Sequence, residues 1–307
     1  MRAVQRVGER LEQAARLGAG GRRAEGRGRP RSSAPLAGLL APPLAWLLVV
    51  YVGSLALLVV SAFFSLDDFT GKVTTNLTLG NLNEAFTEPD YWSLVARSVG
   101  VAAAVTAICL ALALPSAFYI SKVARRGAKR GLVVAMILPL WTGYLVKAFG
   151  LRAIFDPGSG PGTGGLLSSG VGWSPGFGYA SVVATLAYLW FPYMLLSVYT
   201  GFERLPDSLL DASSDLGAGS VRTFRSVVVP VLVPSIAAGS IFTFSLSLGD
   251  YITVKIVGGT AQMIGNIIER ALLAPNQPLA AAFTLWPIGL MVAYLWTMGR
   301  LGAFENL

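Results

Sequence analysis

The sequence predicts an all-α, polytopic membrane protein with six transmembrane helices and both N and C termini in the cytoplasm. Three observations lead there. The 307-residue chain is 54% hydrophobic and only 13% charged, about half the charged fraction of a soluble domain. Its charge-free runs cover 32–66, 98–121, 131–146, 157–202, 226–249 and 271–299, and a hydrocarbon core ~30 Å thick takes ~20 apolar helical residues to cross. The cationic residues fall on alternate connections: Lys122, Arg125, Arg126, Lys129 and Arg130 in one, Arg204, Arg222 and Arg225 in another, whereas 65–92 has mostly acids. The excess of Lys and Arg marks the cytoplasmic side.

In chain order, residues 1–34 carry nine arginines and predict a disordered, basic cytoplasmic tail that anchors topology. Glu9, Glu12 and Glu25 interrupt it, which does not suit a transit peptide, and the apolar run that follows is far longer than the ~7–15 residues of an export signal. The basic residues flank membrane spans, so the expected partner is lipid and not nucleic acid. Residues 35–307 form the six-helix domain, with spans near 39–64, 93–120, 131–151, 178–201, 232–254 and 279–300. Pro115 and Pro139 lie inside spans, where neighbouring helices satisfy the freed carbonyls. The Gly/Pro-rich stretch 157–178 predicts an external loop, as does 255–278, which holds Glu269 and Arg270.

The same composition removes most catalytic chemistry. There is one cysteine, Cys109, and no histidine, so a disulfide within the chain, His-based acid/base catalysis and His/Cys metal sites are excluded. No GxxxxGK[ST] phosphate loop occurs. The expectation is a protein that is not an enzyme and holds no cofactor or metal.

The connection between the fourth and fifth spans is the most structured polar segment. Asp207 after Pro206 predicts a helix start with a capping carboxylate. Leu209, Ala212, Ser213 and Leu216 then recur at helical spacing. Gly217 and Gly219 supply positive-φ positions for a turn, and Ser220 is placed to cap a second helix with Val221, Phe224, Val227 and Val228 on its apolar face. Read by spacing, 211–230 is acidic-small-small, three residues, glycine, nine residues, aliphatic-x-aliphatic-proline.

That spacing resembles the "EAA" loop of bacterial ABC importer permeases, with Asp211 where the family has Glu and Ser213 where it has a second Ala. Further strings are similar to the spermidine/putrescine-type permeases: Leu138 to Lys147, Glu203-Arg204-Leu205-Pro206, Ser247 to Thr253, Gly258-Gly259 and Met263 to Asn266. Together they cover roughly 36–300. Permeases for opines, phosphonates and ferric iron share parts of these strings. The resemblance implies the type I ABC importer permease fold in a bacterial inner membrane, with 203–231 as a cytoplasmic coupling loop. It implies ATPase coupling through Asp211, Ala212, Ser213 and Gly217, which shape the docking helix and turn, and through Arg222 and Pro230, which orient the second helix. The implied partners are two ATPase subunits, a second homologous permease and an extracytoplasmic substrate-binding protein. The implied cargo is a polyamine, with another small solute as the alternative. An ion-coupled secondary transporter would need acidic ligands inside the membrane, and only Asp250 offers one.

Charges inside spans are costly, which singles out Lys147 and Asp250 as candidate pathway residues. Asp250 either meets a cationic solute or pairs with Lys147; Lys147 either pairs or snorkels to the interface. Trp141, Tyr144 and Tyr251 either offer π faces to an ammonium group or serve as interfacial belt aromatics.

Overall fold

A computed structural model describes residues 34–67, 71–158, 164–274 and 276–300. The basic tail before position 34 lies outside the described residues. The chain divides into two units, Met1–Leu55 and Ala56–Leu307.

In the first unit, α1 (Ala34–Leu47) passes through a π-helical turn at Leu48–Val52 into α2 (Gly53–Ser61), whose residues from Ala56 on belong to the second unit. Leu40–Ser61 is apolar throughout and long enough to cross a membrane, and none of its side chains is buried.

Next in the second unit comes a feature the all-α reading did not contain, a short antiparallel hairpin of β1 (Phe64–Leu66) and β2 (Val73–Leu77). Asn81 closes it from outside by donating to the Ala62 and Phe64 carbonyls at 3.0 and 2.7 Å. After α3 (Gly80–Thr87) come the long helices: α4 (Pro89–Phe118), α5 (Arg126–Trp141), α6 (Tyr144–Phe155), the short α7 (Leu166–Gly170), and α8 (Tyr179–Arg204). Then follow α9 (Asp207–Asp215), α10 (Ser220–Thr223), α11 (Val229–Leu248), α12 (Ile252–Val257), α13 (Ile264–Leu273) and α14 (Gln277–Arg300).

The core is built on α8. Leu186, Leu189, Met194, Val198 and Phe202 of α8 are enclosed by Val105, Cys109 and Ala113 of α4 and by Leu232 of α11. Tyr179–Arg204 has the lowest mean hydropathy of the five continuous spans, 1.6, yet the largest buried share, 56%; Leu40–Ser61 has the highest, 2.4, and no burial. In lipid this inversion is expected. Oiliness there reports contact with acyl chains, whereas helix–helix contact selects small residues that let backbones approach. A Cβ on Gly239 of α11 would lie 2.8 Å from Met194 Sδ, and one on Gly201 of α8 would lie 2.6 Å from Ser235 Oγ.

Among the described residues, five helices are long and apolar enough to span a membrane, and a bent pair brings the number to six when it is taken as one span. That pair corrects the continuous third span predicted at 131–151: α5 and α6 meet at 94°. Thr142 and Gly143 between them are extended, with ψ of 131° and 142°. Pro139, β-branched Thr142 and Gly143 follow one another closely, and each weakens the helix. The fifth span, predicted at 232–254, is also corrected. Its helix runs back through a π-helical turn (Phe224–Val228) to Ser220 and stops at Leu248. The predicted external loop 255–278 holds α13, whose Ile264, Gly265, Asn266 and Ala271 are buried. The Ile264 N–H donates to Ser98 Oγ at 2.8 Å.

Gly239→Val is expected to destabilise the folded protein by ~1–3 kcal/mol through overpacking of the α8–α11 contact. Gly100→Ala, where a Cβ meets nothing within 4 Å, should leave thermal unfolding in detergent unchanged.

Candidate functional site

The 203–231 element is a helix, a glycine turn and a second helix. α9 ends in a left-handed turn at Gly217, whose φ is +74°. Around it the Gly217 N–H donates to the Ser214 carbonyl at 2.9 Å and the Ala218 N–H to the Ser213 carbonyl at 3.1 Å. These bonds satisfy carbonyls that a helix end leaves orphaned. Ser213 is the one residue of α9 that is buried, and its hydroxyl bonds Thr223 Oγ1 at 2.7 Å. This contact sets the angle between the two short helices.

Three expectations for this element are corrected. Asp207 is not a cap: no side-chain bond closes the start of α9, and its carboxylate is taken up by Lys122 at 2.6 Å. Ser220 does not cap α10. Gly219 has φ −68°, which leaves Gly217 alone in the left-handed region of this turn. The apolar stripe also splits. Leu210 leans on the core, while Leu209, Ala212 and Leu216 face outward, Leu216 at 88% exposure. Val221 and Phe224 are exposed beside them. Asp211, Arg222 and Pro230 are exposed as well, with Pro230 in the first turn of α11.

The pathway candidates behave differently from one another. Asp250 lies in the break between α11 and α12 and is 9% exposed. The Tyr144 hydroxyl donates toward Oδ1 and Oδ2 at 2.8 and 2.7 Å. The Thr253 N–H donates to Oδ1 at 2.8 Å and its hydroxyl to Oδ2 at 3.2 Å. The carboxylate thus occupies an orphan N–H at the start of α12. Tyr144 is the first residue of α6, so the bend of the third span meets the end of the fifth here. Tyr251 is 36% exposed, and its carbonyl accepts from Asn266 Nδ2 at 3.2 Å. Gly265 fits under it because a Cβ there would lie 2.9 Å from the Gly249 carbonyl oxygen.

Lys147 does not join this group. Its ammonium donates to the Pro139 carbonyl at 3.3 Å, across the bend in its own span, and it forms no ion pair with Asp250. Trp141 is 86% exposed at the same bend. Glu269 is not a free solvated acid either: it pairs with Lys255 at 2.5 Å.

Sequence reasoning did not single out Thr253, Trp190 (stacked on Tyr144 at 6.0 Å) or the acceptors of Lys122 and Lys129. Thr253, three residues after a carboxylate that precedes a helix, was the findable one. The others depend on distant contacts.

Residues 103–302 match the family described as binding-protein-dependent transport system inner membrane component. The chain is 41% identical to the inner membrane ABC transporter permease protein YdcU of Escherichia coli (strain K12), over 88% of this chain and 90% of that protein. It is 29% identical to the spermidine/putrescine transport system permease protein PotB of the same organism, over 83% and 94%. Among solved structures, a bacterial ABC transporter involved in import of the acidic polysaccharide alginate superposes with a TM-score of 0.66 at 14% identity, over 90% of this chain and 97% of that one. The MetNI methionine ABC transporter gives 0.53 at 16%, over 70% and 96%. At these identities the solved structures speak to the fold.

Tyr144→Phe is expected to strand part of a buried carboxylate and cost ~1–3 kcal/mol of stability, read as a lower unfolding temperature in detergent. Trp141→Phe, on an exposed ring, should be neutral in the same assay.

Proposed function

We infer the working of this chain from its family: it belongs to the binding-protein-dependent transport system inner membrane components and is a permease component of an ABC importer. It is an inner-membrane protein, as its relatives are. The observation that carries the rest is the outward-facing apolar side of α9. Leu209, Ala212 and Leu216 stand off the core on a helix whose other side is fixed by Leu210 and Ser213. An amphipathic helix so presented suits a groove on a partner.

In the proposed scheme the 203–231 element and both termini are cytoplasmic, and the partner is the ATPase. Ala212 lies on the docking face with Asp211 beside it. Ser213 and Gly217 fix the helix and turn from behind, and Arg222 and Pro230 orient the return into α11. Two ATPase subunits, a second homologous permease and an extracytoplasmic binding protein complete the importer. ATP-driven closure of the ATPase pair moves the element, and the spans follow. The chain performs no chemistry of its own in this scheme.

The proposed cargo is a polyamine of the spermidine/putrescine kind. Support comes from the likeness to PotB and from the carboxylate where the bend of the third span meets the end of the fifth, which suits a cation. Asp250, Tyr144 and Tyr251 are the proposed solute-facing group, with Trp141 and Lys147 at its rim. Because Asp250 is already bonded by Tyr144 and Thr253, a passing ammonium would have to exchange with those donors. A different small solute would leave the mechanical part of the scheme intact.

Gly217→Pro is expected to abolish ATP-driven uptake of labelled putrescine into vesicles carrying the assembled importer while the protein still inserts, because proline cannot take the positive φ. A crosslinker placed at position 215 should capture the ATPase subunit in the unsubstituted background; failure to capture it in intact vesicles would remove the docking assignment.

A further inference from the structure

The 203–231 element is continuous with α8 and α11, so connectivity alone lets it act on the fourth and fifth spans. The structure also ties it to the end of the second span and the start of the third. Lys122 lies in the π-helical turn that ends the second span. It donates to Asp207 Oδ1 at 2.6 Å and to the Leu205 carbonyl at 2.7 Å. Lys129, in the first turn of α5, donates to Glu203 Oε1 at 2.7 Å and to the Ser121 carbonyl at 3.4 Å. Phe118 and Phe202 meet edge to face at 5.7 Å alongside. Lys122 is the better enclosed, with its side chain 15% exposed against 28% for Lys129.

α5 has 16 residues, about 24 Å of helix at 1.5 Å per residue. Its near end is held by the Lys129–Glu203 pair. Its far end is Trp141, at the bend, and three residues on Tyr144 holds Asp250. α5 therefore runs from the root of α9 to the bend, where Thr142 and Gly143 lead on to Tyr144 and the end of the fifth span.

We propose that α5 is a strut that carries movement of the 203–231 element to the Tyr144–Asp250 junction, with Lys129 as the positioning residue at its driven end and Lys122 as the one that braces the end of the second span from which α5 departs. The proposal rests on the ATPase-coupling reading and adds a third moving span to it. The plainer role for the two lysines is to mark the cytoplasmic side. That role needs charge of one sign and no particular partner, so exchanging the charges across each pair separates the two. Ion pairs this exposed contribute little to stability, so their reversal should act on transmission before folding.

The test uses the full importer with its ATPases, partner permease and binding protein in lipid. Spin labels on Glu88→Cys at the start of α4 and Leu145→Cys beyond the bend report whether the junction moves when ATP and vanadate are added. The expected result is a shift in label separation in the parent chain. Lys122→Glu and Lys129→Glu should each lose most of it while the ATPase still co-purifies. The exchanges K122E with D207K, and K129E with E203K, should restore it. No shift in the parent, a full shift in both single reversals, or no restoration by the exchanges overturns the strut. Loss of the ATPase from the single reversals overturns it as well, since the charges would then serve docking. A shift that survives Gly217→Pro would strike at the coupling reading instead, independently of the lysines.

Discussion

The bond from the Tyr144 hydroxyl to the Asp250 carboxylate ties the bend of one membrane-crossing helix to the end of another. In the bilayer core, water is absent and every freed backbone group must find a protein partner. Bending the third span at Thr142–Gly143 and ending the fifth at Leu248 leave helix ends that need partners. Asp250 takes the Thr253 N–H, Tyr144 holds Asp250, Asn266 takes the Tyr251 carbonyl, and Lys147 takes that of Pro139. Each group answers a need created by these helix ends, and α13 supplies one of the answers from its buried first turn. The rest of the second unit arranges α4, α8 and α11 so that this junction has a fixed frame behind it.

The fold class and the positions of the spans were legible because a bilayer imposes a one-dimensional rule. Charge must be absent over a set length, and five runs obey it while 131–146 falls short at Lys147. The interruptions were not legible from that rule, since hydropathy is indifferent to direction. Pro139 and Gly143 were visible, but proline inside a membrane helix is often tolerated, and only the contact with Asp250 determines that this one turns. The overlong fifth span has the same origin: Tyr251 to Val254 are apolar enough to continue a helix, and it is the claim on Asp250 by Tyr144 and Thr253 that stops it.

In the 203–231 element, local chemistry was read well and its partners less so. Gly217 was identifiable from the helical run before it, because a positive-φ glycine after an amphipathic stretch is a backbone requirement. Asp207 and Ser220 were read as caps by the same local logic, and tertiary contacts overrode it: Asp207 has a lysine 85 positions away in sequence to satisfy. Lys122 and Lys129 were legible as orientation signals and not as ion-pair partners, since the positive-inside rule counts charges and says nothing of where they reach.

The oily stretch Leu40–Ser61 has no side chain enclosed by the protein around it. Leu58, near its end, leans on a buried cluster, but most of the stretch is constrained by the hydrocarbon it meets and little by fit to neighbours. Leucine, isoleucine, valine and phenylalanine are interchangeable under that constraint, whereas the glycines and small polar residues of α8 and α11 are not. Drift across related chains should therefore concentrate in this leading segment and leave the interior lattice still, so that the most hydrophobic part of the molecule carries the least of its specification.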